Sequence, residues 1–213
     1  MKREHSIESV PFYEDLIFYT PLTESQNDLV GGKIPTVYGD VNYGENGAEF
    51  NESCLIYPMP YEEQKAPMTV HFLFSRGDIQ HTYSYVLLLG STANSTTWRY
   101  GIFMPRTNAR IGYNMTLSSS RLEMETITDI NTTAGTWYKV VGVFGSAEQR
   151  IYINDTLVFS NNATDRYVIQ GSGQELLSIG NRLDHNYDRF FTGFVKDVRI
   201  YNKAMTDEEI RQL

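Results

Sequence analysis

The C-terminal segment GFVKDVRIYNKAMTDEEIRQL, from Gly193 to Leu213, carries the clearest structural pattern of the chain. Its first half alternates apolar and polar residues, and the side chains of a β-strand point alternately to its two faces. We therefore expect Phe194, Val198 and Ile200 to share one face of a strand. Lys196 interrupts that apolar side, which predicts a face that is only partly buried at this point.

The second half of the same stretch predicts one short helix. Thr206 stands three residues before Glu209, which is the spacing of a capping box, and Met205 and Ile210 occupy the flanking apolar positions. A helix of about one and a half turns is not stable alone. The side chains of Met205, Ile210 and Leu213 are therefore expected to dock on the rest of the protein.

The pattern of the rest of the chain predicts a series of short strands. Segments of alternating or continuous apolar character recur about every ten residues, with Gly, Asn, Ser and Pro between them, which is typical of an antiparallel sandwich or barrel. Asn154 and Asp155 lie between two such segments, and both residue types tolerate the positive φ of a two-residue hairpin. The segment from Trp137 to Gly142 is largely apolar on both faces, which indicates a central strand.

Composition limits the class of protein. The chain has 213 residues with 41% hydrophobic residues and a net charge of −8, so it is expected to form one domain over residues 15–213 after a polar arm, residues 1–14. Cys54 is the single cysteine, which excludes an intramolecular disulfide and favours a buried small side chain. The net negative charge gives no reason to expect a nucleic-acid partner, and membrane insertion is not expected either. The N-terminus is charged and does not have the pattern of a signal peptide.

Two stretches resemble a known family. TWYKVVGVFGSAEQRIYINDTLVFS (residues 136–160) and LLSIGNRLDHNYDRFFTGFVKDVRIYNKAMTDEEIRQL (residues 176–213) are similar to the middle and C-terminal signatures of laminin G-like, concanavalin A-like domains of bacterial or phage type. The resemblance covers about residues 15–213. It implies an all-β antiparallel jelly-roll sandwich of two curved sheets, with the first and last strands as neighbours, and a short C-terminal helical turn. It does not imply one function, because this fold carries several.

An enzymatic role has weak support in the sequence. Retaining glycosidases need two carboxylates, and related enzymes carry three acids at alternate positions of one strand. RLEMETIT places Glu123 and Glu125 on one face, but the third position is Ile127. We interpret this segment as a strand with a solvated face, and a glycosidase is the weakest alternative.

A calcium site is one hypothesis for the DHNYD segment. Asp184, Asn186 and Asp188 stand at alternate positions and offer the oxygen ligands that Ca²⁺ prefers. The segment is no EF-hand, because the sixth and twelfth positions are Arg189 and Val195. The alternative is a polar turn whose side chains cap their own backbone.

Carbohydrate binding is a second hypothesis for exposed aromatic residues. Trp98 and Tyr100 share one strand face in TTWRYGIFM, and Tyr187 lies in the DHNYD segment. Aromatic rings and a few fixed polar groups are what a sugar site requires. The alternative for these residues is ordinary packing in the core.

The sequence therefore leaves several functions open. The favoured one is a non-catalytic binding or structural module of an extracellular assembly, such as a phage virion accessory or adhesion component, with the other proteins of that assembly as partners. The alternative is a glycan-binding, lectin-like domain, for which Ca²⁺ is a candidate cofactor rather than a requirement. Either function predicts an extracellular or virion location.

Overall fold

The protein is an antiparallel sandwich of two sheets. The computed structural model describes residues 7–64, 67–78, 83–91, 98–104, 110–115, 126–145, 148–161, 175–183 and 189–213. Within these ranges the strands are β1 Leu16–Thr20, β2 Thr36–Tyr38, β3 Asn42–Gly44, β4 Gly47–Phe50, β5 Cys54–Pro58, β6 Met68–Arg76, β7 Ser84–Ser91, β8 Trp98–Met104, β9 Arg110–Met115, β10 Thr126–Asn131, β11 Trp137–Phe144, β12 Gln149–Ile153, β13 Thr156–Asn161, β14 Glu175–Ile179 and β15 Gly193–Tyr201. The described helices are α1, Asp207–Ile210, and the 3₁₀ turns Ile7–Ser9, Tyr13–Asp15 and Tyr61–Gln64.

The topology confirms the predicted jelly-roll sandwich. The first sheet has the order β13-β12-β11-β6-β15-β4-β3, and β1 also pairs with β15. The second sheet has the order β10-β9-β8-β7-β14-β5-β2. The pairing of β1 with β15 makes the first and last strands neighbours, as the resemblance implied.

The main core lies between the two sheets and consists of the inward side chains of both. Tyr138 and Val140 of β11 face Tyr100 of β8 there, and all three belong to one buried cluster. Gly142 leaves room for the opposing sheet, because a Cβ at this position would lie 2.9 Å from the Tyr100 hydroxyl. The glycine in the central strand therefore follows from close packing of the two sheets.

A second cluster covers the outer face of the first sheet. Val141 and Val143 of β11 point into it, so both faces of this strand are buried, as predicted for a central strand. Met205 and Ile210 from the C-terminal tail close the cluster with relative exposures of 0% and 1%. This confirms that the short helix docks on the sheet.

Part of the N-terminal segment, which the sequence predicted to be a polar arm, packs on the first sheet. Residues 7–14 lie against the first sheet, where Val10 joins the outer cluster. The Tyr201 hydroxyl donates a hydrogen bond to the carbonyl oxygen of Pro11 at 3.1 Å. Packing of three apolar side chains, those of Ile7, Val10 and Phe12, therefore fixes part of the segment. Residues 1–6 lie outside the described ranges.

The predicted hairpin is confirmed in detail. Asn154 and Asp155 have φ values of 48° and 64°, and β12 and β13 pair directly beside them, Ile153 opposite Thr156. The Asn154 side chain accepts a hydrogen bond from the backbone N–H of Lys139 at 2.9 Å. This contact fixes the turn against β11.

A bulge in β15 corrects the assignment of its faces. Asp197 has a φ of 56°, and the register with β6 shifts between Lys196 and Arg199. Val195, Val198 and Ile200 point into the core, whereas Phe194 is only partly buried. The strict alternation expected from Phe194 to Ile200 was therefore wrong for Phe194, because a bulge moves every earlier side chain to the other face.

Candidate functional site

The candidate site lies at one end of the outer face of the first sheet. Strand register places Trp137 of β11 opposite Ser75 of β6, and Ser75 opposite Phe194 of β15. Because neighbouring strands lie about 4.8 Å apart, the backbones of Trp137 and Phe194 are separated by roughly 10 Å. Two aromatic side chains thus flank a small residue, and the arrangement forms a groove.

This groove, which we call the Trp137–Phe194 groove, encloses a cavity of about 480 Å³. That volume falls within the range of about 300–1,000 Å³ that is usual for small-molecule sites. Its lining combines two aromatic rings with amide, hydroxyl and charged groups: Asn46, Ser75, Arg76, Gly77, Asp78, Ala134, Gly135, Trp137 and Phe194.

Arg76 holds one wall of the groove in place. Its guanidinium donates to Thr132 Oγ1 at 2.8 Å, to the Thr132 carbonyl oxygen at 3.0 Å and to the Gly77 carbonyl oxygen at 3.0 Å. In return, the Gly135 N–H donates to the Arg76 carbonyl oxygen at 3.0 Å. These hydrogen bonds tie the loop between β10 and β11 to the end of β6. Because the loop is already ordered, ligand binding does not have to supply the free energy of ordering it.

Gly193 lets β15 approach the floor of the groove. Its φ is +143°, and a Cβ at this position would lie 2.3 Å from the carbonyl oxygen of Ser75. Only glycine fits such a contact without displacing the backbone. The close packing of β15 on β6 sets the position of Phe194, the next residue.

Lys196 adds a positive charge to the rim of the groove. Its ammonium nitrogen lies 4.2 Å from the centroid of the Trp137 ring, which is cation–π geometry. The contact covers one part of the ring and limits the orientations that the indole can take. The groove therefore has one aromatic wall held by a cation, and polar groups of both charge signs around it.

Tyr100, which the sequence predicted to bind carbohydrate, does not line this groove. Tyr100 is fully buried between the sheets, 4.8 Å from Phe144 between ring centroids, and burial raises the pKa of its hydroxyl. This corrects the expectation that Tyr100 forms an exposed platform for a sugar. Trp98 lies at the start of β8, but its side chain is outside the described part of the structure, and so is Tyr187.

The predicted calcium ligands Asp184, Asn186 and Asp188 lie outside the described residues, and the site stays a prediction. Glu123 and Glu125, which were considered for glycosidase chemistry, also lie outside the described residues. Within the described ranges, no group of three His, Cys, Asp or Glu side chains is placed to hold a metal ion.

Cys54 is fully buried, and burial raises the pKa of its thiol to about 12. The thiolate that nucleophilic chemistry requires is therefore disfavoured at neutral pH.

The sequence carried a partial signal for the groove. Trp137 and Tyr138 point to opposite faces of β11, as the alternation of a strand predicts. Phe194 was missed because the β15 bulge reverses its direction, and Ser75 and Asn46 carry no signal without the strand register. The tryptophan at the start of a central strand was the feature of the sequence that could have located the groove.

Fold and groove together define a lectin-like jelly-roll domain with an aromatic-walled cavity. The chain matches the family Laminin_G_3, described as the concanavalin A-like lectin/glucanases superfamily, over residues 63–211. The chain belongs to this superfamily. No curated protein matches it in sequence.

Three solved structures illustrate its similarity in fold. The receptor-binding domain of botulinum neurotoxin mosaic serotype C/D has 14% identity and a TM-score of 0.72, with 93% of this chain and 50% of that chain covered. Trypanosoma rangeli sialidase in complex with sialic acid has 13% identity and a TM-score of 0.70, with 93% and 32% covered. Domain 4 of AbnA, a GH43 extracellular arabinanase from Geobacillus stearothermophilus, in complex with arabinotriose, has 17% identity and a TM-score of 0.68, with 93% and 97% covered.

These comparisons bear on the functions left open by the sequence. The chain spans about half of the toxin domain and a third of the sialidase, so the likeness is to one part of each. The description of the family names lectins and glucanases and does not indicate a virion component. Among the described helices, none has the length and apolar character needed to cross a bilayer.

Proposed function

We propose that this protein is a non-catalytic glycan-binding module and that the Trp137–Phe194 groove is its binding site. The observation that carries the proposal is the pair of half-buried aromatic side chains on either side of Ser75. Aromatic rings bind the apolar faces of sugar rings, while fixed polar groups at the edge select the hydroxyl pattern. The groove supplies both kinds of group within one cavity.

Two further observations support the proposal. The loop walls are held by backbone and guanidinium hydrogen bonds, so the cavity is formed without a ligand. One of the similar structures, domain 4 of AbnA, is covered over 97% of its length and is in complex with arabinotriose. An extracellular location fits this function, since glycans are displayed on cell surfaces and in secreted polysaccharides.

A glycan array followed by calorimetry on the retained glycans tests the proposal. Trp137→Ala is expected to weaken binding at least tenfold, or by roughly 1.4 kcal/mol, because truncation removes an aromatic wall. Phe194→Ala is expected to act similarly. Melting curves of both variants separate lost binding from lost folding.

Two control variants make the test specific to the groove. Tyr13 is an aromatic residue of 44% exposure near the N-terminus, and Tyr13→Ala should leave affinity unchanged. Trp98→Ala tests the aromatic site predicted from the sequence. Full affinity in Trp137→Ala, or a loss confined to Trp98→Ala, would move the site away from the groove.

A further inference from the structure

A second cavity adjoins the Trp137–Phe194 groove. It encloses about 500 Å³ and shares Gly77, Asp78 and Phe194 with the groove. Register explains the arrangement, because Phe194 pairs with Ser75 on one side and with Glu49 of β4 on the other. The ring of Phe194 therefore stands between two cavities that open on the same end of the sheet.

The second cavity differs from the groove in charge. Its lining includes Glu49, Glu52 and Asp78, all exposed, and no basic side chain. None of the ion pairs between described residues involves these three carboxylates. Grouped charges of one sign repel ligands of the same sign and accept hydrogen bonds from hydroxyl groups.

The basic side chains lie at the groove end of the site. The Arg76 side chain lines the groove but not the second cavity, and its N–H groups donate to Thr132 and Gly77. The Lys196 ammonium lies over the Trp137 ring, on the far side of Phe194 from Glu49. The end of the site near β4 is therefore acidic, whereas the end near β11 is aromatic.

We infer that the site takes a neutral oligosaccharide of at least two units that lies across Phe194 and occupies both cavities, and that it selects against acidic glycans. This inference rests on the proposed function. The aromatic groove supplies the stacking surface for one unit, and the carboxylates of the second cavity accept hydrogen bonds from the hydroxyl groups of the next. A sialylated or uronic acid unit would place its own carboxylate beside Glu49 and Glu52.

The test uses a glycan array that carries matched series. It contains arabino-oligosaccharides of one to six units, lactose beside 3′-sialyllactose, and methyl-esterified beside free oligogalacturonides. Neutral members are expected to be retained, with affinity at least about tenfold higher for two or more units than for one, since the second contact becomes intramolecular. The acidic glycan of each matched pair is expected to bind about tenfold more weakly than the neutral one. This difference in affinity should shrink in 1 M NaCl.

A charge variant tests selectivity directly. Glu49→Gln with Glu52→Gln is expected to raise binding of acidic glycans relative to their neutral partners by about tenfold. Glu8→Gln with Glu208→Gln makes the same change in net charge on exposed residues outside both cavities, and it should leave that ratio unchanged.

The outcomes separate the two proposals. Binding without dependence on length, equal binding of acidic glycans, or an unchanged ratio in the Glu49 and Glu52 variant overturns this inference and leaves the proposed function standing. An array that retains no glycan overturns the proposed function, and this inference with it.

Discussion

The Lys196 ammonium stands 4.2 Å from the centroid of the Trp137 ring, two strands away across the outer face of the first sheet. The contact joins β15 to β11 directly above β6. It also fixes an aromatic wall of the proposed glycan site by means of a residue that is not among the lining of the cavity. Lys196 is therefore a positioning residue for Trp137.

Replacement of this lysine tests that role. Lys196→Met keeps most of the apolar stem but removes the cation–π contact, which is worth about 0.5–1 kcal/mol at such a site. Glycan affinity is expected to fall about two- to fivefold, as measured by calorimetry, because the indole becomes free to reorient. Lys203→Met is the matched control, since the Lys203 ammonium lies 5.5 Å from the Phe12 ring centroid near the other end of the sheet. Equal losses in both variants would contradict a specific role for Lys196.

The C-terminal tail is expected to stabilise the fold without affecting the groove. Removal of residues 203–213 uncovers the outer cluster and deletes the buried Met205 and Ile210. Two such side chains contribute at least about 3 kcal/mol together, so the melting temperature should fall by roughly 6–12 °C. The Ile210→Ala variant alone should cost about 2–4 kcal/mol.

Arg211→Ala serves as the control for the tail, because this side chain is 62% exposed. It should change the melting temperature little. Glycan affinity should be unchanged in all three variants at a temperature where they remain folded. An unchanged melt after truncation would mean that the docked helix contributes nothing to stability.

The tail and the groove show what the sequence could and could not predict. The capping box is local, and the structure has it: the Glu209 N–H donates to Thr206 Oγ1, and the Thr206 N–H donates to Glu209 Oε2. The groove depends instead on register between three strands and on the bulge at Asp197, which are long-range properties of the folded sheet. Local pattern therefore predicted the elements, whereas tertiary pairing decided which side chains meet.

The hairpin between β12 and β13 allows backbone strain to be separated from hydrogen bonding. Asn154 has a φ of 48°, and its side chain accepts from the Lys139 N–H at 2.9 Å. Asn154→Gly loses the hydrogen bond but tolerates the left-handed conformation, so it should cost about 0.5–1.5 kcal/mol. Asn154→Ala loses the hydrogen bond and also disfavours the left-handed conformation. It should therefore be less stable than the glycine variant by about 1 kcal/mol. Equal urea midpoints for the two variants would show that the turn is not strained at this residue.

The final prediction concerns His71, which is fully buried on the outer face of β6. The His71 ring places Nδ1 3.1 Å from the Asp197 carbonyl oxygen, to which the neutral ring donates, and Nε2 has no partner among the described residues. Burial lowers the pKa of His71 to about 4, against the smaller opposing effect of the Asp197 carboxylate. The unfolded chain therefore binds a proton near pH 6.5, whereas the folded protein does so only near pH 4.

The contribution of the neutral His71 ring to the free energy of unfolding is fully present above pH 6.5, and it is lost as the pH falls towards 4. Each pH unit within that window costs up to about 1.4 kcal/mol, or roughly 3 kcal/mol in total. His71→Gln keeps a donor for the Asp197 carbonyl but does not titrate. It should be less stable than the wild type at pH 7.5, because its shape fills the site poorly, and the difference should narrow or reverse at pH 4.5. Urea unfolding from pH 4 to 8 measures this. Parallel stability curves for the two proteins would show that His71 is protonated equally in the folded and unfolded states.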